Sequence, residues 1–82
     1  MNTCLIGTAE CLGNPIEYSL VSELSEEGAN TYGILVQLGE EQALIHDLSA
    51  SEEEVRKLLE AMACGSVSPV SARDIVDDWL LR

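Results

Sequence analysis

The amino-acid sequence predicts an α+β fold, in which an antiparallel sheet of about four strands is followed by two C-terminal helices packed on one of its faces. Three observations lead to this prediction. Apolar residues alternate with polar ones along much of the first 48 residues, which is the period of a strand. Turn signals that contain glycine divide that region into segments of strand length. From residue 55 onward the apolar period becomes that of an amphipathic helix, and the 82 residues form a single domain, 1–82.

The first two strands are separated by one of these turn signals. The residues from Thr3 to Leu12 are of strand-forming types but alternate poorly, and Gly13-Asn14-Pro15 ends them. From Ile16 to Leu24 the alternation is regular, which predicts a half-buried second strand. The apolar residues that share one parity there are Ile16, Tyr18, Leu20 and Leu24.

A third strand follows the turn sequence Ser25-Glu26-Glu27-Gly28. Its apolar residues again share one parity: Tyr32, Ile34, Val36 and Leu38. In an antiparallel pair, directly opposite residues point to the same face, and the sum of their residue numbers is constant along the pair. Leu20 and Ile34 therefore lie on the same face only if this sum is even. A five-residue loop from Ser25 to Ala29 satisfies this condition and predicts a hairpin.

The register of the fourth strand is open to two interpretations. A two-residue turn at Gly39-Glu40 places Ala43, Ile45 and Asp47 on the core face. A three-residue loop places Leu44, His46 and Leu48 there instead. We favour the two-residue turn, because glycine supplies the positive φ that a type II′ turn requires.

Two helices complete the predicted fold. The first has apolar residues at helical spacing: Val55, Leu58, Leu59, Met62 and Ala63. Two overlapping capping boxes, Ser49…Glu52 and Ser51…Glu54, mark its start, and Gly65 is its predicted C-cap. The second helix begins either at Ser68-Pro69 or at Ser71. Its apolar stripe comprises Ala72, Ile75, Val76, Trp79 and Leu80.

The net charge restricts the partners that the protein can bind. The chain carries a formal charge of −11, and its first 48 residues hold eight acidic residues and no lysine or arginine. Direct binding to nucleic acid or to an anionic membrane is not expected, because such binding depends on clustered basic residues. A basic protein partner is compatible with this charge. The sequence also lacks a secretory signal and the ~18 apolar residues of a membrane span, so we expect a cytoplasmic protein.

The residues that could carry chemistry form no recognisable catalytic, cofactor-binding or metal-binding pattern. Cys4, Cys11 and Cys64 show no chelating spacing, and we expect reduced thiols, no zinc and no intramolecular disulfide. His46 and its neighbour Asp47 point to opposite sides of a strand and cannot form a local acid–base pair. The acidic residues of the last helix have no EF-hand spacing. We therefore predict a protein that is not an enzyme and has no cofactor.

The second half of the chain resembles a family of small bacterial proteins known only as a domain of unknown function. The residues that carry the resemblance are Asp47-Leu48-Ser49, the acidic helix that follows, and the segment from Val67 to Leu80. The tail of that family reads approximately Ser-Pro-x-His-Leu-x-Asp-Val-x-x-Asp. The residues that match this tail are Ser68, Pro69, Asp74 and Asp78, whereas Ser71-Ala72 stands in place of His-Leu. The resemblance implies a bacterial, stand-alone cytosolic protein and no particular activity.

The face of the sheet that points away from the helices is predicted to be apolar. If the even-numbered apolar residues of the second and third strands point toward the helices, Val21 and Leu35 point away from them. The fourth strand adds Leu44 or Ile45 beside Leu35, depending on its register. A free sheet face is ordinarily polar, so an apolar patch there predicts an interface with a second copy or another protein, through this face or the neighbouring edge strand.

These features predict a non-enzymatic protein-interaction or regulatory module that self-associates as a homodimer. A second hypothesis is an acidic nucleic-acid mimic that inhibits a DNA- or RNA-binding enzyme, of the anti-restriction or anti-CRISPR type. It requires carboxylates in rows with the spacing of phosphates. A third hypothesis, a small hydrolase or metalloprotein, requires that the fold bring His46 together with a cysteine or aspartate.

Overall fold

The computed structural model describes residues 2–81 and has the predicted α+β architecture. Four antiparallel strands form one sheet in which each strand pairs with the next one along the chain. Two helices pack on one face of this sheet. The elements are β1 (Asn2–Cys11), β2 (Asn14–Leu24), β3 (Asn30–Leu38), β4 (Glu41–Ser49), α1 (Glu52–Cys64) and α2 (Pro69–Leu80).

The hydrophobic core lies between the sheet and the helices. The residues of β2 and β3 that were predicted to face the helices do so, with one exception. Ile16, Tyr18 and Leu20 of β2 are buried there with Ile34 and Val36 of β3. The helices contribute the side chains that the helical spacing indicates: Val55, Leu58, Leu59, Met62, Ala72 and Val76. Leu24 has the same parity but is exposed, because β2 ends there.

Two of the three turns form as predicted. The β2–β3 loop contains the five residues from Ser25 to Ala29, since Leu24 pairs with Asn30. The β3–β4 turn is the two-residue Gly39-Glu40 turn, with φ +59° at the glycine and Leu38 paired with Glu41. The β1–β2 turn differs from the prediction. It consists of Leu12 and Gly13, and both residues have positive φ, so β2 begins at Asn14.

A bulge in β4 overturns one prediction for this strand. Ile34 pairs with Ile45 and Tyr32 pairs with Ser49, so three residues of β4 stand opposite the single residue Gly33. Asp47, which was expected on the core face, lies in this bulge with φ +54° and is exposed. Leu48 packs against the core instead.

Both helices begin with a serine cap. Ser51 caps α1 by accepting a hydrogen bond from the backbone N–H of Glu54. Of the two overlapping boxes, the one that starts at Ser51 is therefore used, and the Ser49 hydroxyl donates to the Glu54 carboxylate. Ser68 caps α2, with Pro69 as the first helical residue, so the alternative start at Ser71 is wrong.

Gly65 is the C-cap of α1, as predicted, and the residue that follows it, Ser66, has the left-handed conformation. Gly65 has φ −92°, whereas Ser66 has φ +50°. The Val67 N–H reaches the Met62 carbonyl and the Ser66 N–H reaches that of Ala63, which together form a Schellman motif. A serine in this conformation carries a steric cost that glycine avoids.

We therefore expect Ser66→Gly to stabilise the protein by about 0.5 to 1 kcal/mol, because it removes the Cβ strain at this position. Urea denaturation followed by circular dichroism measures the effect. Gly65→Ala is the matched control and should be close to neutral, since its φ is ordinary and the added Cβ would meet the nearest Val67 atom at 3.6 Å. A Ser66→Gly protein that is less stable than the wild type would contradict this account.

Candidate interaction surface

The sheet has a second face that no helix of the described chain covers, called here the open face. Strand register aligns one residue from each strand across it: Leu5 pairs with Ser19, Ser19 with Leu35, and Leu35 with Leu44. We call Leu5, Leu35 and Leu44 the apolar row. None of the three belongs to the helix-covered core. Leu5 is 54% exposed, and the other two are partly exposed.

A polar row runs beside the apolar row on the open face. Thr8 pairs with Glu17, Glu17 with Gln37, and Gln37 with Gln42. All four side chains are exposed. The open face therefore carries an apolar row beside an exposed polar row, the two components that the core and rim of protein interfaces combine.

On its other side the apolar row is bounded by a side-chain hydrogen bond that crosses β3. The Nδ1 atom of His46 on β4 contacts the Glu23 carboxylate on β2, and both side chains are partly exposed. The strand between them contributes Gly33, which has no side chain to stand in the way. A Cβ built on Gly33 would lie 2.1 Å from the Ile45 carbonyl oxygen, so the β4 bulge lies directly against this glycine.

The structure places three of the four predicted interface residues on the open face. Leu35 and Leu44 lie side by side there. Val21 also points to this face, but it is only 1% exposed and offers almost no contact area. Ile45 is a correction: the two-residue turn places it opposite Ile34, where it packs against the helix-covered core.

Sequence reasoning missed two components of this surface. Leu5 joins the apolar row because β1 has a bulge between Leu5 and Gly7, which changes the parity of its first residues relative to the rest of the strand. The poor alternation of the β1 sequence was the available signal for such an irregularity. The hydrogen bond joins residues 23 positions apart, and the sequence carried no signal for the bulge that brings His46 and Glu23 together.

The structure does not bring His46 to a cysteine or an aspartate; its partner is Glu23. Cys4 and Cys64 are exposed, Cys11 is partly exposed, and all three are free thiols. Within residues 2–81 no three His, Cys, Asp or Glu side chains are close enough to hold a metal ion. In that same range, no helix combines the length and apolar character needed to cross a membrane.

A groove of about 580 Å³ lies on the opposite side of the molecule, beside α1 and α2. Its apolar wall is formed by Leu48, Leu58, Ala61, Trp79 and Leu80. The polar groups that line it are already used in the fold. Ser49 is hydrogen-bonded to Glu54, and Lys57 forms an ion pair with Glu53.

The fold and the open face define a small two-layer α+β domain, with a four-stranded meander on one side and two helices on the other. The chain belongs to a family of unknown function, DUF6514, which matches residues 4–82. The match extends beyond the C-terminal motif and includes the whole sheet apart from its first residues. Comparison with curated proteins and with solved structures gave no match.

Proposed function

We propose that the protein is a non-enzymatic interaction module that associates with a second copy of itself through the open face. The apolar row carries this proposal. Antiparallel sheets with one free face normally place polar side chains there, whereas this face presents three leucines in register. Apolar surface arranged in this way on so small a domain is typical of an interface.

The apolar row supplies a favourable contribution to association. Burying apolar area contributes about 25 cal/mol per Å², so three partly exposed leucines on each copy supply several kcal/mol before the entropic cost of association. The net charge of −11 opposes contact between two copies. Association of like-charged chains should therefore strengthen as salt is added, because salt screens the repulsion.

The cellular setting that we propose is the bacterial cytoplasm. The three free cysteines support this placement, because exposed thiols persist in a reducing compartment. An interaction module in that setting acts by occupying or joining protein surfaces. Its regulatory role depends on which protein surface the open face covers.

Leu35→Glu tests the role of the open face. It places a charge at the centre of the apolar row, and sedimentation equilibrium should show association weakened by about tenfold or more. The matched control is Gln37→Glu, which adds the same charge on the same strand and face but in the exposed polar row. Equal effects of the two variants would show that charge alone, rather than burial of the leucines, governs association. A strictly monomeric wild-type protein would overturn the proposal.

An acidic nucleic-acid mimic is the second candidate function. The observation that favours it is the solvent exposure of 14 of the 15 acidic side chains, with Glu23 the partly exposed exception. Such a protein would occupy a basic groove, and that complex would weaken as salt is added. Neutralising Glu17, Glu23, Glu26 and Glu27 should then abolish inhibition of a nuclease. The opposite salt dependence separates this function from self-association.

A further inference from the structure

The two edges of the sheet are protected unequally. β4 forms one edge, and it carries Glu41, Asp47 and the bulge described above. Charges and bulges on an edge strand oppose pairing with another chain. β1 forms the other edge, and its residues 2–9 contain no charged residue and no proline. This edge therefore presents unpaired backbone donors and acceptors on an uncharged segment.

We propose that β1 pairs with β1 of a second copy, in antiparallel orientation, to form a continuous eight-stranded sheet. The proposal does not rest on the open face, because backbone groups rather than the apolar row make the contact. The chain has a net charge of −11, and the uncharged edge is a place where two copies can approach with little local repulsion. β-Strand addition of this kind gains its affinity from main-chain hydrogen bonds.

Symmetry fixes how the two copies are arranged. In an antiparallel pair, directly opposite residues point to the same face of the sheet. Two identical strands related by a two-fold axis therefore pair residue numbers that sum to an even value, with the axis perpendicular to the sheet. Both open faces then lie on the same side of the joined sheet. The apolar row of one copy approaches that of the other through Leu5, the row's residue on β1.

The bulge in β1 restricts the position of the axis. It interrupts the regular strand between Leu5 and Gly7, which leaves Asn2–Leu5 and Gly7–Cys11 as pairing segments. The second segment contains Glu10, and pairing there would bring two like charges close together. We therefore place the axis at Cys4, so that Cys4 faces its own copy and Leu5 faces Thr3. Opposite residues in antiparallel strands have Cα atoms about 4.5 to 5.5 Å apart, which is within the range of a disulfide.

Cross-linking through Cys4 tests the arrangement directly. A variant that keeps only Cys4 (Cys11→Ser with Cys64→Ser) should form a covalent dimer when treated with glutathione disulfide, which accepts the two electrons. The matched control keeps only Cys64, another exposed thiol, located at the end of α1. We expect the Cys4 protein to cross-link at least tenfold faster, at a rate that changes little on dilution. Equal rates for the two proteins would overturn the proposal.

A second pair of variants tests the contact without a disulfide. Cys4→Lys places two like charges opposite each other at the axis and should weaken association about tenfold in sedimentation equilibrium, whereas Cys64→Lys should not. Leu35→Glu should leave cross-linking through Cys4 unchanged. Loss of cross-linking in Leu35→Glu would show that the open face, and not the edge, holds the two copies together. Failure of the edge contact is thereby distinguished from failure of the open-face contact.

Discussion

Gly33→Ala is expected to abolish the folded state. The added Cβ would lie 2.1 Å from the Ile45 carbonyl oxygen and 3.0 Å from the His46 Cα, and both are backbone atoms of the β4 bulge. A flexible side chain could move away, but here the paired strands themselves must separate. Overpacking in a well-packed site costs about 1 to 3 kcal/mol, and a backbone clash lies at or above the upper end of that range. A domain of this size has only a few kcal/mol of stability to lose.

Circular dichroism and urea denaturation measure the effect of this substitution. The matched control is Gly7→Ala, because the Cβ added to Gly7 would meet the Ala63 side chain at 3.4 Å, an ordinary contact distance. We expect Gly7→Ala to remain folded, with stability within about 1 kcal/mol of the wild type. A folded Gly33→Ala protein would show that the bulge can move away from β3.

The second large effect is expected for Tyr18→Phe. Tyr18 is completely buried, and its hydroxyl donates a hydrogen bond of 2.6 Å to the Val67 carbonyl in the connection between the helices. The substitution removes the donor and leaves this partly buried carbonyl without that partner, which costs about 1 to 2 kcal/mol. Thermal or urea unfolding at neutral pH measures the loss. An unchanged stability would mean that water or another donor satisfies the Val67 carbonyl in the variant.

The same hydroxyl predicts a loss of stability at alkaline pH. Burial, followed by the nearby Cys11 thiol, raises the pKa of Tyr18 above its ordinary value of 10.0. Below pH 10 the side chain is neutral in both the folded and the unfolded chain, and the full stability is present. As the pH rises above 10, the unfolded chain ionises first, so stability falls up to the raised pKa of the folded state. Tyr18→Phe should reduce this decline, and unfolding measured at pH 8 and at pH 11 tests it.

Much of the fold could be predicted because period and turn chemistry agree over most of the chain. The parity of β2 and β3 identified the helix-covered face, and the glycine of Gly39-Glu40 identified the register that brings Leu44 beside Leu35. The serine caps and apolar spacing located both helices. These signals are local, since each depends on residues within a few positions of one another.

The parts that the sequence did not predict are the irregular ones. The poor alternation of β1 was the signal for its bulge, whereas the bulge in β4 had none, and the two bulges decide where Leu5, His46 and Asp47 lie. Ser66 and Leu12 adopt left-handed conformations that their residue types disfavour, so the sequence did not indicate that the β1–β2 turn begins at Leu12 or that Ser66 adopts this conformation after the C-cap Gly65. The hydrogen bond between His46 and Glu23 depends on the bulge in β4, so it could not be inferred without knowing that bulge.

The meander also has a consequence for the order in which the protein folds. Each strand pairs with the next one along the chain, so the hairpins close short loops and can form within microseconds. The helices come last in the chain, and during synthesis the completed sheet emerges before anything can cover Ile16, Ile34 or Val36. For that interval the apolar side chains of the core face are exposed together with the apolar row of the open face. We therefore expect the nascent chain to be more prone to aggregation than the finished domain, until α1 reaches the sheet.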